Sequence, residues 1–432
     1  MQISLFLEKI NGFSANFVRF ICNLSNVLYQ THTSSHIRII HSPIASEVAY
    51  LGFAVNVGSR DESEAVHGMA HFVEHCLFKG TAKRNVWNIL NRMENVGGEL
   101  NAYTSKEETL VYSVFLEKDI QRAFELLSDL IFHSRFPENE LKKEKEVILD
   151  EINSYEDSPS ELIFDDFENM LFENHSLGHN ILGSAESLYT FDSEKTRHFY
   201  ETYYRPENMV LFYMGKTDLK KIIRLAEKHI PLRTVETPVE APIPQPYQPI
   251  IQHVRMSKDT HQAHVILGNY AYSLYHPKRI GFSLLNNMLG GPGMNSRLNV
   301  ALRERSGLVY NVESGLTSFS DTGVFTVYFG TEAKNVNKCI QLVKKELNAF
   351  CKNKLTDSKL HVAKRQLMGQ ISIGREQREQ MSLSMGKAFL RFGKYDSLPE
   401  VYEKIEKITA NDLLEIANEI WEIDKLSSLI YE

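Results

Sequence analysis

The sequence predicts an α+β chain made of two homologous halves, each layering helices on a largely antiparallel sheet. Three observations carry that expectation. Segments with helical spacing alternate with strand-like segments, yet the strands come as hairpin neighbours and not as single strands between crossover helices. Six of the 13 prolines, from Pro231 to Pro249, crowd into one stretch that can be neither helix nor central strand. The order of elements after that stretch repeats the order before it, although identity between the halves is faint.

A regular strand-like pattern begins only at Tyr29. Residues 1–28 include Phe6, Phe13, Phe17 and Ile21, but Glu8, Lys9 and Arg19 interrupt each apolar run. They lack the unbroken apolar core of a secretory signal and read as an N-terminal extension outside the folded unit. From Ile37 to Val57 short apolar runs predict strands, broken by a turn at His41–Ser46 and closed by the polar Gly58–Glu64. Val66–Lys79 switches to helical spacing, and Asn85–Val96 is a second helix ending at Gly97–Gly98. Strands follow at Glu99–Thr104 and Thr109–Leu116, then long amphipathic helices at Asp119–Phe132 and Glu138–Glu156. These elements make a first domain over 29–230. A proline-rich linker over 231–252 leads to a second domain over 253–432. There a strand (Ala263–Tyr272), a helix (Pro277–Leu289), a glycine turn, a helix (Ser296–Ser306) and two strands (Val309–Ser320, Gly323–Thr331) repeat the sequence of elements.

Composition narrows the function. With 43% apolar and 24% charged residues the 432-residue chain is of ordinary globular type, long enough for two or three cores. A net charge of −7 with no basic block argues against nucleic acid as a partner. No run of about 18 apolar residues occurs, so no membrane-spanning helix is expected. The cysteines (Cys22, Cys76, Cys339, Cys351) have no CxxC spacing and read as reduced, buried thiols of a cytoplasmic protein. Another compartment follows if residues 1–28 are a targeting segment.

The strongest local signal is His71-Phe72-Val73-Glu74-His75. Positions 71 and 75 share one face of a helix, so both imidazoles can reach one ion, and Glu74 lies near enough to hold a water beside it. His-x-x-Glu-His is the inverted zincin arrangement of two neutral imidazoles and an acid acting as general base. A catalytic zinc needs a third protein ligand and an open position. The helix at Glu138–Glu156 offers Glu144, Glu146, Asp150 and Glu151, of which Glu144 and Glu151 lie two turns apart on one face. Spacing alone does not choose among them. His67 precedes His71 by one turn, but it is about 12 Å along the axis from His75 and reads as a non-ligand. His175 and His179 have helical spacing without an acid placed to serve as base. Gly290-Gly291-Pro292-Gly293 lacks the Lys-Ser/Thr of a phosphate loop and reads as a turn between helices. Cys76 reads as packing.

HFVEHCLFKGT, GGELNAYTSKEET and KEVILDEINSYEDSP together resemble the insulinase–pitrilysin–mitochondrial processing peptidase family of zinc peptidases. The resemblance continues through LGHNILGSAESL, YYRPENMVLFYMG and LGGPGMNSRLNVALRERSGLVYNV, covering about Tyr29 to Glu432. It implies one half of a clamshell and a zinc ion in each chain, held by His71, His75 and Glu151, with Glu74 as general base. Glu144 would orient a ligand or its histidine. Asn101 would contact substrate backbone, and the strand at Ala102–Ser105, with Ala102, Tyr103 and Thr104, would pair with an extended peptide. Arg303 and Tyr310 would grip substrate and stabilise the oxyanion of the tetrahedral intermediate. Because the family's closed chamber takes two halves and this chain has the length of one, the resemblance implies a dimer. We expect a homodimer in which Arg303 and Tyr310 of one subunit complete the zinc site of the other. The alternative is a non-catalytic member that serves as the binding subunit of a heterodimer; the intact histidine–glutamate set argues for the active enzyme.

Overall fold

The computed structural model describes residues 29–232, 250–258 and 260–432. The expected N-terminal extension, and the linker from 233 to 249, lie outside the described residues.

Two sheets organise the chain. The first has the order β1-β2-β6-β3-β5-β4, with β1 at Tyr29–His32, β2 at Arg38–Pro43, β3 at Val48–Val55, β4 at Glu99–Thr104, β5 at Thr109–Leu116 and β6 at Met209–Gly215. The second has the order β7-β11-β8-β10-β9, with β7 at His253–Met256, β8 at Ala263–Ala271, β9 at Val309–Ser318, β10 at Gly323–Thr331 and β11 at Ser427–Tyr431. Apart from β1 the two orders correspond strand for strand. In each, a single parallel pair (β2 with β6, β7 with β11) stands among antiparallel neighbours. The α+β class and the repeated architecture are as expected from the sequence.

Both faces of each sheet are covered, which is why β6 is buried along its whole length. Helices of its own half cover one face: Phe72, Phe124, Leu127 and Ile148 pack on the first sheet, and Phe282, Leu285, Val343 and Trp421 on the second. The opposite faces are closed by an exchange. The helix at Pro159–Leu171 leaves the first half and sets Ile163, Phe167 and Leu171 against Ile266, Tyr328 and Leu429 of the second sheet. The helix at Arg378–Phe392 returns the contact, placing Leu383, Met385 and Phe389 on Ile40, Val210 and Phe212 of the first. A Cβ at Gly386 would fall 2.5 Å from the Phe212 ring, so the glycine is what lets this helix lie so close.

A polar clasp joins the halves at the turn between β4 and β5. Arg60 donates to Glu107 (2.7 Å) and, through both terminal nitrogens, to Asp321 (2.7 and 2.5 Å) at the tip of the β9–β10 hairpin. Glu107 also accepts from the Ser320 backbone and hydroxyl, and Arg391 reaches Glu108 (2.7 Å) and the Glu107 carbonyl.

Most boundaries fall where the pattern placed them. Two differ. The helical spacing over Val66–Lys79 resolves into a helix at Met69–Cys76 between 3₁₀ turns at Glu64–Val66 and Leu77–Lys79, because Gly68 adopts φ 91° and starts the helix anew. The helix expected at Ser296–Ser306 is a π-helical turn at Asn299–Glu304. Cys76, Cys339 and Cys351 are free thiols; Cys22 lies outside the described residues. No helix among the described residues is long and apolar enough to cross a membrane.

Candidate metal centre

The Met69–Cys76 helix carries the centre, and its start is fixed by unusual packing. Gly68 and Gly183, both with positive φ (91° and 78°), stand back to back; a Cβ on either would come within 2.8 Å of the other's Cα. The carboxylate of Glu62 accepts from the backbone N–H groups of Gly68 and Ala70 (2.7 Å each), satisfying donors that a helix start leaves orphaned. Phe72, Val73 and Cys76 bury the inner face, with Phe72 5.3 Å from Phe191 ring to ring. His71, Glu74 and His75 are thereby aimed at the Glu138–Glu156 helix and at β4.

The ligating atoms of His71, His75 and Glu151 lie within 4.8 Å of one another, the one such group among the described residues. Glu151 Oε2 is 3.8 Å from His71 Nε2 and 3.6 Å from His75 Nε2, too far for hydrogen bonds. Donor atoms around a tetrahedral zinc, each 2.0–2.1 Å from it, lie about 3.3–3.4 Å apart. The two distances from Glu151 to the imidazoles therefore need only a slight contraction to suit such an ion. Two imidazoles and one carboxylate are the donor set of a catalytic zinc. Glu151, with 44% of its side chain exposed, leaves the outer side open. The residues fit the metal.

Behind these three side chains, His75 Nδ1 shares a 2.8 Å hydrogen bond with Glu144 Oε1, which turns its Nε2 lone pair towards Glu151. Glu144 is itself buried and its second oxygen meets Lys79 Nζ at 2.6 Å. His71 Nδ1 is buried with no hydrogen-bond partner among the described residues. Burial, assisted by the neighbouring His75, pulls the His71 pKa down to about 3, so this imidazole is neutral, the form that ligates. Burial also disfavours charge on His75, but the Glu144 hydrogen bond and the surrounding carboxylates outweigh it and raise its pKa. For Glu144 burial is outweighed by His75 and Lys79, which hold its carboxyl below the ordinary value. Glu74 is buried beside His71 and His75, and burial raises its pKa against the pull of a 2.6 Å hydrogen bond donated by the Thr104 hydroxyl. A raised carboxyl pKa suits a group that must accept and return a proton near neutrality.

The remaining expected site residues fall in two places. Asn101, Ala102, Tyr103 and Thr104 lie half-buried on β4, an edge strand of the first sheet, whose outer edge pairs with no other strand among the described residues. Arg303, in the π-helical turn, stacks its guanidinium 5.4 Å from the centre of the Tyr310 ring at the start of β9. Tyr310 is 85% exposed. Their contacts are with each other and with Glu304, not with the His71 cluster. His67 sits outside the cluster, bonded to the Asn180 carbonyl at 2.8 Å. Sequence reasoning missed Lys79, Glu62 and the bond from Thr104 to Glu74. Their partners come from other elements, and no spacing rule marks them.

Residues 38–185 match the family model described as Insulinase (Peptidase family M16), and residues 190–367 match the model described as Peptidase M16 inactive domain. The chain is 32% identical over 405 residues to the uncharacterized zinc protease YmxG of Bacillus subtilis, covering 93% of this chain and 97% of that protein. The chain belongs to the insulinase family, M16. Another relative, an uncharacterized zinc protease of Rickettsia bellii, is 32% identical over 388 residues, 90% of this chain and 93% of its own. The crystal structure of a protease from Helicobacter pylori has the same fold, with a TM-score of 0.85 at 21% identity, over 94% of this chain and 99% of that one. Within the M16 chain the first model spans His71, Glu74, His75, Glu144 and Glu151, and the second spans Arg303 and Tyr310.

Proposed function

We propose that this M16 chain is a zinc-dependent endopeptidase acting on extended or unfolded peptides. The observation that carries the proposal is the convergence of His71 Nε2, His75 Nε2 and Glu151 Oε2, with Glu74 beside them. Bound there, zinc supplies a Lewis acid that polarises a water and the scissile carbonyl. Glu74 takes the proton as the water attacks and returns it to the leaving amine. Glu144 holds His75 in its ligating tautomer. The free edge of β4 takes the substrate as an added strand, Asn101 to Thr104 reading its backbone and not its side chains. We assign residues 29–230 to the zinc-binding domain and 253–432 to the substrate-binding one. In a homodimer Arg303 and Tyr310 reach the zinc site of the partner copy, where a guanidinium and a phenol stabilise the oxyanion.

Purified protein tests this directly. One equivalent of zinc, and cleavage of a mixed peptide library that a chelator stops and added zinc restores, are the expected results. The metal is peripheral to two complete cores, so stripping it should leave the fold intact, as a structural zinc site would not. Glu74→Gln should retain zinc and lose hydrolysis; full activity in that variant would remove Glu74 as the base. A chain that binds zinc but cleaves nothing would instead be the binding subunit of a heterodimer.

A further inference from the structure

We infer that Lys79 is a positioning residue for the metal, acting through Glu144 on His75. The inference rests on the reading of His71, His75 and Glu151 as ligands, and it adds a group to which no part of that reading gives a role. Glu144 carries two partners on two oxygens: His75 Nδ1 on one at 2.8 Å and Lys79 Nζ on the other at 2.6 Å. Only 4% of Glu144 is exposed, so water cannot compensate its charge. A buried carboxylate without a partner is costly, and it escapes that cost by swinging out to solvent. That movement would withdraw the acceptor that His75 Nδ1–H needs.

Lys79 stands where it can prevent this. It is four residues beyond His75, at the end of the 3₁₀ turn that continues the ligand helix, so both side chains lie on the side facing the Glu138–Glu156 helix. Gly80, at φ 142°, then turns the chain away, a conformation that side-chain-bearing residues rarely adopt. Lys79 is thus held at the mouth of the buried carboxylate, its own side chain three-quarters covered. The result is a chain of contacts, Lys79 to Glu144 to His75, that leaves His75 Nε2 facing Glu151 before any ion arrives. Such preorganisation should appear as zinc affinity, since groups that orient a ligand histidine typically contribute about 10–100-fold.

The test is zinc competition against a chromophoric chelator, on the full chain at fixed pH, with peptide cleavage scored separately. Lys79→Met should bind zinc about 10–100-fold more weakly. Lys79→Arg should recover most of that loss. Because Lys79 works through Glu144, adding Lys79→Met to Glu144→Gln should weaken binding no further. Lys79→Met leaves the buried Glu144 carboxylate without its cation and should lower the melting temperature, so affinity is read well below each variant's own transition; Lys79→Gln serves if the methionine variant does not fold. Wild-type affinity in the Met and Gln variants, or additive losses in the double variant, would overturn the proposal. Wild-type protein that binds no zinc would overturn it together with the ligand assignment. A wild type that holds zinc yet cuts no peptide would end the hydrolase reading alone, and the affinity ranking would still decide for or against Lys79.

Discussion

The Thr104 hydroxyl donates a 2.6 Å hydrogen bond to Glu74 Oε2, tying the last residue of the edge strand β4 to the acid beside His71 and His75. The bond fixes one carboxylate oxygen, and in the proposed mechanism the other takes the proton. A hydrogen bond to a charged group is worth about 1.5–3 kcal/mol. Thr104→Val, which keeps the shape and removes the donor, should therefore lower kcat about tenfold to a hundredfold. KM and zinc content should stay near wild type, and Thr104→Ser should restore most of the rate. An unchanged kcat in Thr104→Val would show that Glu74 is held by its packing alone.

The paired glycines at the start of the Met69–Cys76 helix make a prediction about stability. Gly68→Ala and Gly183→Ala each force a Cβ into a backbone approach, with nearest atoms at 2.7 and 2.8 Å, on top of a positive φ. Gly97 also has a positive φ (71°), but its Cβ would meet nothing within 4 Å. Gly97→Ala should therefore cost about 1 kcal/mol, the strain of the conformation alone. The two interlocked positions should cost more, about 2–4 kcal/mol each, since neither backbone can move aside. Denaturant melts of the three variants separate conformational strain from steric contact. Equal losses at 97 and 68 would mean that the helix start relaxes around the added methyl.

The difference between those glycines also shows what the sequence could and could not reveal. Period-two and helical spacing located β4, β5 and the Glu138–Glu156 helix, because burial on one face imposes a period on the residues themselves. His71 and His75 were legible for the same reason: one helix face brings them together. Glu151 was not separable by spacing from Glu144, Glu146 and Asp150, and only the resemblance to a family singled it out. Gly68 was hidden because Val66, Met69 and Ala70 keep the apolar pattern running through the break. The exchange of the Pro159–Leu171 and Arg378–Phe392 helices was hidden too. An amphipathic helix records that it has a buried face, not which sheet buries it.

The clasp between the halves should respond to acid. Burial alone would raise the Asp321 carboxyl, but the hydrogen bonds and charge of Arg60 outweigh it and hold the pKa below its ordinary 3.8. A depressed carboxylate stabilises the folded state above its unfolded pKa, and that contribution disappears as pH falls through the folded value. The stability gap between wild type and Asp321→Asn should therefore be full at neutral pH, begin to close near pH 4 and vanish below it. Urea melts of both proteins at several pH values measure the gap. A gap that stays constant down to the acid limit would assign the loss to packing of the β9–β10 hairpin instead of to charge.

Arg303 and Tyr310 face solvent beside each other, while their proposed work lies at the zinc site, and a second copy reconciles the two. Mixing inactive variants tests this. Glu74→Gln destroys the base of its own site, and Arg303→Ala removes the oxyanion donor from the neighbour's site, so each homodimer should be inert. In a mixed dimer the Arg303→Ala subunit keeps Glu74 and receives an intact Arg303 from its partner, which rebuilds one working site of two. Random exchange at equal amounts makes half the dimers mixed, so activity should return to about a quarter of wild type. Activity at that level, rising with the time allowed for exchange, supports composite sites. If exchange is verified by a mass tag and no activity returns, each chain must complete its own site, and the exposed Arg303–Tyr310 pair must fold inward to do so.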